Sequence, residues 1–321
     1  MLSVGSERSL PPACRRDEPL APRTHCRIGG IAEVLCEAAD ERDVLAAIEY
    51  RRAAGLPDDE VILLGGGANV LIDDRRSYGL VLTLGERFHA IAVDEAGETA
   101  RIEAGIRTPR LVREAAARGW EGYQFLAGVP GTLGGAVAMN AGVRELSTWD
   151  RVRAVEGFRW SGERVRLERE DLAPAYRRGN LPPDVIVTIV ECTLPKGDPE
   201  AIHRAARGLS VSRRETQPLR HPSWGSTFRN PSGMSSEGLT AGELIERAGL
   251  KGCRVGDAQI SELHANFVVN LGAARAADAL ACLRHARERV LERFGVRLEP
   301  EVRLIGFPPG DLAFLRPEGE A

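Results

Sequence analysis

With 321 residues and 43% hydrophobic content, the chain can bury a full core, and at about 100–200 residues per domain two domains are expected. Its 43 basic and 46 acidic residues are intermixed and leave a formal charge of −3, which gathers neither nucleic acid nor an anionic membrane surface. The six cysteines (Cys14, Cys26, Cys36, Cys192, Cys253, Cys282) show no CxxC and no Cys/His ligand spacing, so reduced structural thiols are expected, with no metal and no disulfide framework.

Residues 1–22 read as a loosely ordered leader. They hold prolines and mixed charge but no apolar run of signal-peptide length, and nowhere do about 18 apolar residues follow one another. A soluble cytoplasmic protein is the expectation. From Thr24 onward, short apolar β-branched runs alternate with helical stretches, the pattern of a mixed α and β protein.

The first helix is expected over Asp40 to Ala54, with Asp40 as cap, Val44, Leu45 and Ile48 as the buried stripe and Gly55 as its end. A strand over Val61 to Leu64 runs into Gly65, Gly66, Gly67, Ala68 and Asn69, then resumes over Val70 to Ile72. Successive amides of such a loop can converge on a phosphate oxygen, because glycine tolerates the positive φ that a nest requires. A tight strand-to-strand turn is the competing explanation. No GxxxxGK[ST] is present, and the three glycines precede a strand-like run where the dinucleotide fingerprint requires a helix.

Thr108 caps and Pro109 opens a helix with Leu111, Val112, Ala115 and Ala116 on one face, up to Gly119. Gly128 to Gly142 is too rich in glycine for a helix interior or a central strand. Its segment Pro130, Gly131, Thr132, Leu133, Gly134, Gly135 can line a pyrophosphate or a flat ring. Strands are expected at Arg153 to Phe158 and Val185 to Leu194, with a domain change at Lys196 to Pro199. A capping box at Thr240 and Glu243 starts a helix that Gly249 stops, a last helix covers Ala276 to Phe294, and Glu301 begins a closing strand. Glu299 and Glu301, two apart in a strand-like run, point to one solvated face. No basic stripe with interleaved aromatics marks a nucleic-acid binder.

Taken in order, several blocks give the chain a resemblance to the UDP-N-acetylenolpyruvoylglucosamine reductase family. They are Arg27 to Gly30, Leu64 to Asn69, Gly128 to Gly135 with Asn140 to Gly142, Tyr176 with Arg177, and Arg214 with Gln217 and Pro218. Gly225 to Pro231, Gly249 to Gly252, His264 to Phe267 and Leu298 to Val302 complete the set. The resemblance implies an α+β fold: an FAD-binding domain of the vanillyl-alcohol-oxidase (PCMH) type with two subdomains over residues 23–197, a smaller α+β substrate-binding domain over 198–310, and a tail over 311–321. It also implies noncovalent FAD, NADPH as hydride donor, and a ping-pong reduction of a sugar-nucleotide enolpyruvyl ether in peptidoglycan precursor synthesis, by a monomer or weak homodimer.

Carried over residue by residue, the resemblance implies that Arg177, Ser226 and Glu301 are catalytic. Arg177 and Glu301 would handle the charge that develops on the substrate, and Ser226 would supply the proton. Gly65, Gly66, Gly67, Ala68, Asn69, Pro130, Gly131, Thr132, Gly134, Asn140 and Gly142 would hold FAD. Tyr176, Arg214, Asn230 and His264 would hold the substrate, with Lys251 a weaker candidate. Two departures stand near these sites: Cys26 where the family usually has phenylalanine, and Val143, Arg144 and Glu145 after Asn-Ala-Gly. A flavin-dependent oxidase of an alcohol or sugar, and a non-catalytic homologue that only binds FAD or a sugar nucleotide, are the competing readings.

Overall fold

The computed structural model describes residues 10–143, 146–231 and 238–316. Strand β1 (Cys14–Pro19) runs antiparallel to β2 (Ile31–Ala38) with Cys14 opposite Cys36. The leader expected over residues 1–22 therefore ends sooner, because polar Arg15, Arg16 and Glu18 suit a solvent-facing edge strand whose backbone groups β2 satisfies. Helix α1 (Glu41–Ala54) begins where Asp40 accepts from Arg42 N and Asp43 N, and ends at Gly55 with φ 67°. Its buried face is Val44, Ala47 and Ile48, while Leu45 is 39% exposed; the stripe lies one position round from the expected one.

Strands β3 (Val61–Leu63), β4 (Val70–Ile72), β5 (Ser77–Tyr78) and β6 (Leu80–Leu84) follow. The first sheet has order β1-β2-β6-β3, with β5 beside β2. β4 leaves that sheet, so the glycine loop carries the chain out of it. A second, antiparallel sheet of order β12-β11-β13-β8-β7 is built from β7 (Ile91–Val93), β8 (Thr99–Glu103), β11 (Val152–Arg159), β12 (Arg164–Glu168) and β13 (Val185–Thr193). Helices α2 (Thr108–Arg118), α3 (Leu133–Ala138) and α4 (Arg169–Leu172) and the small ladder of β9 (Gly142–Val143) and β10 (Leu146–Ser147) lie in its connections.

Two expectations change here. Arg107, not Thr108, is the cap of α2, and the Thr108 hydroxyl instead donates to Val129 O. The glycine-rich stretch does contain a helix, α3, because Thr132 accepts from Gly135 N and the adjacent amides of Leu133 and Gly134 donate to Ile106 O and Ala104 O. Anchoring the start of the helix to the segment just after β8 offsets the propensity cost of two glycines, about 1 kcal/mol each.

Helix α5 (Pro199–Thr216) starts at the expected boundary turn, capped by Asp198. It packs on α2, and Ala206 joins the core of the second sheet with Leu111, Phe125 and Leu194. The change of core therefore falls after Thr216, not at 197/198. A third sheet of order β14-β17-β16-β15 comprises β14 (Ser223–Gly225), β15 (Arg254–Val255), β16 (Ala258–Ile260) and β17 (Phe267–Asn270), with α6 (Ala241–Arg247) and α7 (Ala276–Phe294) packed on it. Thr240 and Glu243 form the expected capping box. The closing strand β18 (Arg303–Ile305) starts two residues after Glu301 and runs parallel to β4. Ile28 and Leu71 bury themselves with Trp224 and Phe228 in the third core, so the two ends of the chain share one interior. The architecture is α+β.

Candidate active site

A cleft of about 1730 Å³ opens between the sheets. One wall is backbone. A Cβ on Gly66 would stand 2.4 Å from Gly131 Cα, and one on Gly67, at φ 66°, would stand 2.0 Å from Arg23 O. Glycine is required here chiefly because the two loops touch, and only Gly67 of the three adopts the positive φ that a nest calls for. The backbone amides of Gly65, Gly66, Gly67, Ala68, Asn69, Gly131 and Thr132 find no acceptor among the described residues. The guanidinium of Arg107 stands beside Gly66. Convergent free donors with a cation beside them suit a pyrophosphate, so these residues fit the end of a dinucleotide such as FAD.

Pro130, Gly131, Thr132, Gly134 and Gly142 also line the cleft, and Asn140 does not. Asn140 is buried, its Nδ2 donates to Ala175 O at 2.9 Å and its Oδ1 accepts from Trp149 N at 3.2 Å. Both ends of its amide are spent, the Nδ2 on tying the second loop to the segment before Arg177 and the Oδ1 on tying it to Trp149. Cys26 has 0% exposure and belongs to the third core, with its thiol toward Thr24 Oγ1; it does not reach the cleft. Val143 lines the cleft, while Arg144 and Glu145 lie outside the described residues.

Another part of the lining is made of side chains from three separate segments. Arg177, at φ 58°, is with Tyr176 the centre of a tight turn closed by Ala175 and Arg178, and donates from Nη1 to Gly142 O at 3.0 Å. Its Nε lies 2.9 Å from Glu301 Oε1, but the N–H does not point at that oxygen, so charge and not an aligned hydrogen bond holds the pair. Ser226 follows β14 in the same cleft. Glu301 N donates to Thr227 O at 2.8 Å, and Asn69 Nδ2 donates to Glu301 O at 3.0 Å, which joins the serine segment, the glutamate and the first glycine loop.

The Glu301 side chain is 12% exposed against 61% for Glu299, contrary to the shared solvated face expected for the two. The backbone here is a bridge to Phe228 and not a regular strand, so strict alternation does not apply. Burial pushes the Glu301 carboxyl above the usual range, and the positive charges of Arg177 and Arg229 oppose that rise.

The residues expected to hold substrate are not gathered with these. Tyr176 is 56% exposed and its ring stacks under the Arg177 guanidinium at 5.0 Å. Arg214 is exposed and does not line the cleft, whereas Arg213, one position earlier on α5, does. Burial, and then the charge of Arg177, push the Arg213 guanidinium below its ordinary value. Asn230 Oδ1 accepts from Ala241 N at 3.1 Å at the start of α6. His264 Nδ1 accepts from Asn266 N at 3.2 Å, with burial and Lys251 lowering its proton affinity, and Lys251 pairs with Glu246 at 2.7 Å. The cleft is lined by further cations that sequence reasoning did not single out, Arg213 and Arg229 among them, and Arg107 stands beside its Gly66. For Arg213, the helical period of α5 is the signal that separates it from its neighbour.

Comparison with known proteins agrees with this layout. Residues 32–168 match the model of an FAD binding domain, and residues 217–305 match the model described as UDP-N-acetylenolpyruvoylglucosamine reductase, C-terminal domain. A protein of Anaeromyxobacter dehalogenans (strain 2CP-C) named UDP-N-acetylenolpyruvoylglucosamine reductase is 47% identical over 301 residues, covering 94% of this chain and 88% of that protein. The enzyme of that name from Rubrobacter xylanophilus is 42% identical, over 95% and 99% of the two chains. The crystal structure of UDP-N-acetylenolpyruvylglucosamine reductase from Thermus caldophilus superimposes with a TM-score of 0.75 at 36% identity, covering 91% of this chain and 99% of that one. Two loops free to grip a dinucleotide, a charged wall closed by the third sheet, and identity sustained over nearly the whole length place this chain in the UDP-N-acetylenolpyruvoylglucosamine reductase family.

Proposed function

We propose that the chain reduces the enolpyruvyl ether of UDP-N-acetylglucosamine to UDP-N-acetylmuramate, using NADPH and noncovalent FAD, in peptidoglycan precursor synthesis. The observation that carries this reading is the meeting of Arg177, Ser226 and Glu301 in the cleft whose other wall carries the free loop amides. When bound, FAD supplies the hydride that it takes from NADPH. The loop amides of 65–69 and 131–132 hold the pyrophosphate and fix the cofactor's register.

A hydride delivered to the terminal carbon of the double bond leaves negative charge on the carbon that bears the carboxylate. Arg177, a permanent cation held by Gly142 O, stabilises that charge as it grows, and interactions of this kind are the ones that accelerate a step. Glu301, whose carboxyl burial pushes above the usual range against the charges of Arg177 and Arg229, donates a hydrogen bond to the same carboxylate when it carries its proton. Ser226 Oγ gives its proton to the carbanionic carbon. Serine is a weak acid, so this role rests on holding the hydroxyl about 3 Å from a strongly basic carbon. Tyr176, exposed beside Arg177, and the unit from residue 217 to Glu301 would bind and close over the sugar nucleotide. We further propose that the protein acts in the cytoplasm as a monomer or weak homodimer.

Stopped-flow measurement of the two half-reactions tests this. Ser226→Ala leaves flavin reduction by NADPH within about twofold of wild type and slows reoxidation by the enolpyruvyl nucleotide by about 10³-fold or more. Equal loss in both half-reactions, or loss in neither, removes Ser226 from its role. Rapid reoxidation by oxygen with no response to the nucleotide supports the oxidase reading, and nucleotide binding without turnover supports the non-catalytic one.

A further inference from the structure

Arg229 stands three residues beyond Ser226, on a segment whose backbone is bonded on both sides. Thr227 N donates to Asn266 O at 2.8 Å, Arg229 N donates to Glu299 O at 2.9 Å, and the Asn266 side chain clasps both backbone groups of Phe228 at 2.9 and 2.8 Å. The root of the Arg229 side chain is therefore fixed relative to Ser226 and Glu301. Arg229 lines the cleft, its Nε is buried without an acceptor, and no carboxylate pairs with it among the described residues. Arg177 Nε, 2.9 Å from Glu301 Oε1, is likewise buried without an aligned acceptor. A buried guanidinium N–H left unpaired is costly, and two such donors whose charges are both felt at one glutamate suit a ligand with two anionic oxygens.

We infer that Arg229 is a second binding residue for the carboxylate of the enolpyruvyl group, beside Arg177, and that it selects the carboxylate-bearing sugar nucleotide over the same nucleotide without it. This rests on the reading of the site given above. The proton from Ser226 must land on the carbon that bears the carboxylate, so the carboxylate lies one bond from that carbon. The diphosphate lies across the sugar ring, several bonds farther away. A cation rooted on the serine's own segment, whose charge is felt at Glu301, is placed for the nearer group. Its effect is on binding and on selection between nucleotides, whereas the proton remains with Ser226.

The test is titration of the FAD-loaded protein, followed by the flavin absorption spectrum, with UDP-N-acetylglucosamine enolpyruvate and with UDP-N-acetylglucosamine. Arg229→Met is expected to weaken the enolpyruvyl nucleotide by about 10- to 100-fold while the nucleotide without a carboxylate changes by about twofold or less. Arg229→Lys, a point charge without the fork, recovers part of the difference. The unchanged nucleotide is the internal control for folding, and if Arg229→Met does not retain flavin, the same ratio is read from Arg229→Lys and Arg229→Gln. Equal weakening of both nucleotides, or no weakening of either, overturns the inference. Wild-type protein that fails to turn over the enolpyruvyl nucleotide overturns the underlying reading of the site, a result separate from any effect at residue 229.

Discussion

The wall formed by residues 65–69 and 131–135 presents backbone amides, whereas the wall of Arg177, Ser226 and Glu301 presents side chains. The first depends on the absence of atoms: a methyl on Gly66 or Gly67 would fall on neighbouring backbone. The second depends on the presence of particular groups that three distant segments bring together. The two walls should therefore fail differently. Damage to the backbone wall loses the cofactor and with it both half-reactions, and damage to the side-chain wall spares the cofactor and slows one half-reaction.

The sharpest way to break this contrast is Gly66→Ala. Its Cβ would meet Gly131 Cα at 2.4 Å, a backbone contact that cannot swing aside, so the loops must part. Purified protein is expected to retain bound flavin poorly, with affinity lower by about 100-fold or more, and to lose both half-reactions together. Retention of flavin at wild-type affinity would mean that contact between the loops does not shape the cradle.

Next in size is Glu301→Gln. Burial raises the Glu301 pKa above that of a free carboxyl, so the neutral donor persists to higher pH than usual and is lost as pH rises through that raised value. In the wild type, the substrate half-reaction should fall across that rise. Glutamine has no proton to lose, so the variant should be slower by about 10- to 100-fold and should show no such fall. The same sign governs stability: the folded state gives up stability on ionising Glu301, and the glutamine variant should not lose it over that pH range. Parallel pH profiles for the two proteins would exclude Glu301 as the titrating donor.

The smallest expected effect is at the joint between the walls. Asn69→Ala removes the 3.0 Å bond to Glu301 O and should cost about 1 kcal/mol in thermal unfolding. The substrate half-reaction should slow several-fold, with flavin content unchanged. A loss of flavin instead would assign Asn69 to the cofactor wall alone.

How far each wall was legible in the sequence follows from the same contrast. Local rules found Asp40 as a cap, the box of Thr240 with Glu243, and the limits of the last helix, because caps and helical periodicity act over a few residues. They found the glycine loops but misjudged the reason for them, since the neighbours that forbid a Cβ, Arg23 and Gly131, are remote in sequence. They missed α3, whose amides are held by Ala104 and Ile106 across a gap that no local propensity reports. Alternation failed at Glu301 because a bridge to Phe228 replaces a regular strand. Arg213 and Arg214 share composition and differ only by the turn of one helix, so choosing between them required knowing which face of α5 packs.

The bond from Asn69 to Glu301 spans 232 positions, and β18 pairs with β4 beside it. During synthesis, the strands and helices of the first two sheets emerge and can collapse while Glu301 is still untranslated, because chains fold broadly from the N-terminus as they appear. Such a nascent chain already holds the glycine loop of residues 65–69, but it has neither the carboxyl nor the strand that complete the cleft. Bringing segments so far apart together is also the slow, entropically costly kind of contact. Competence for the reaction is thus acquired last, when most of the message has been read.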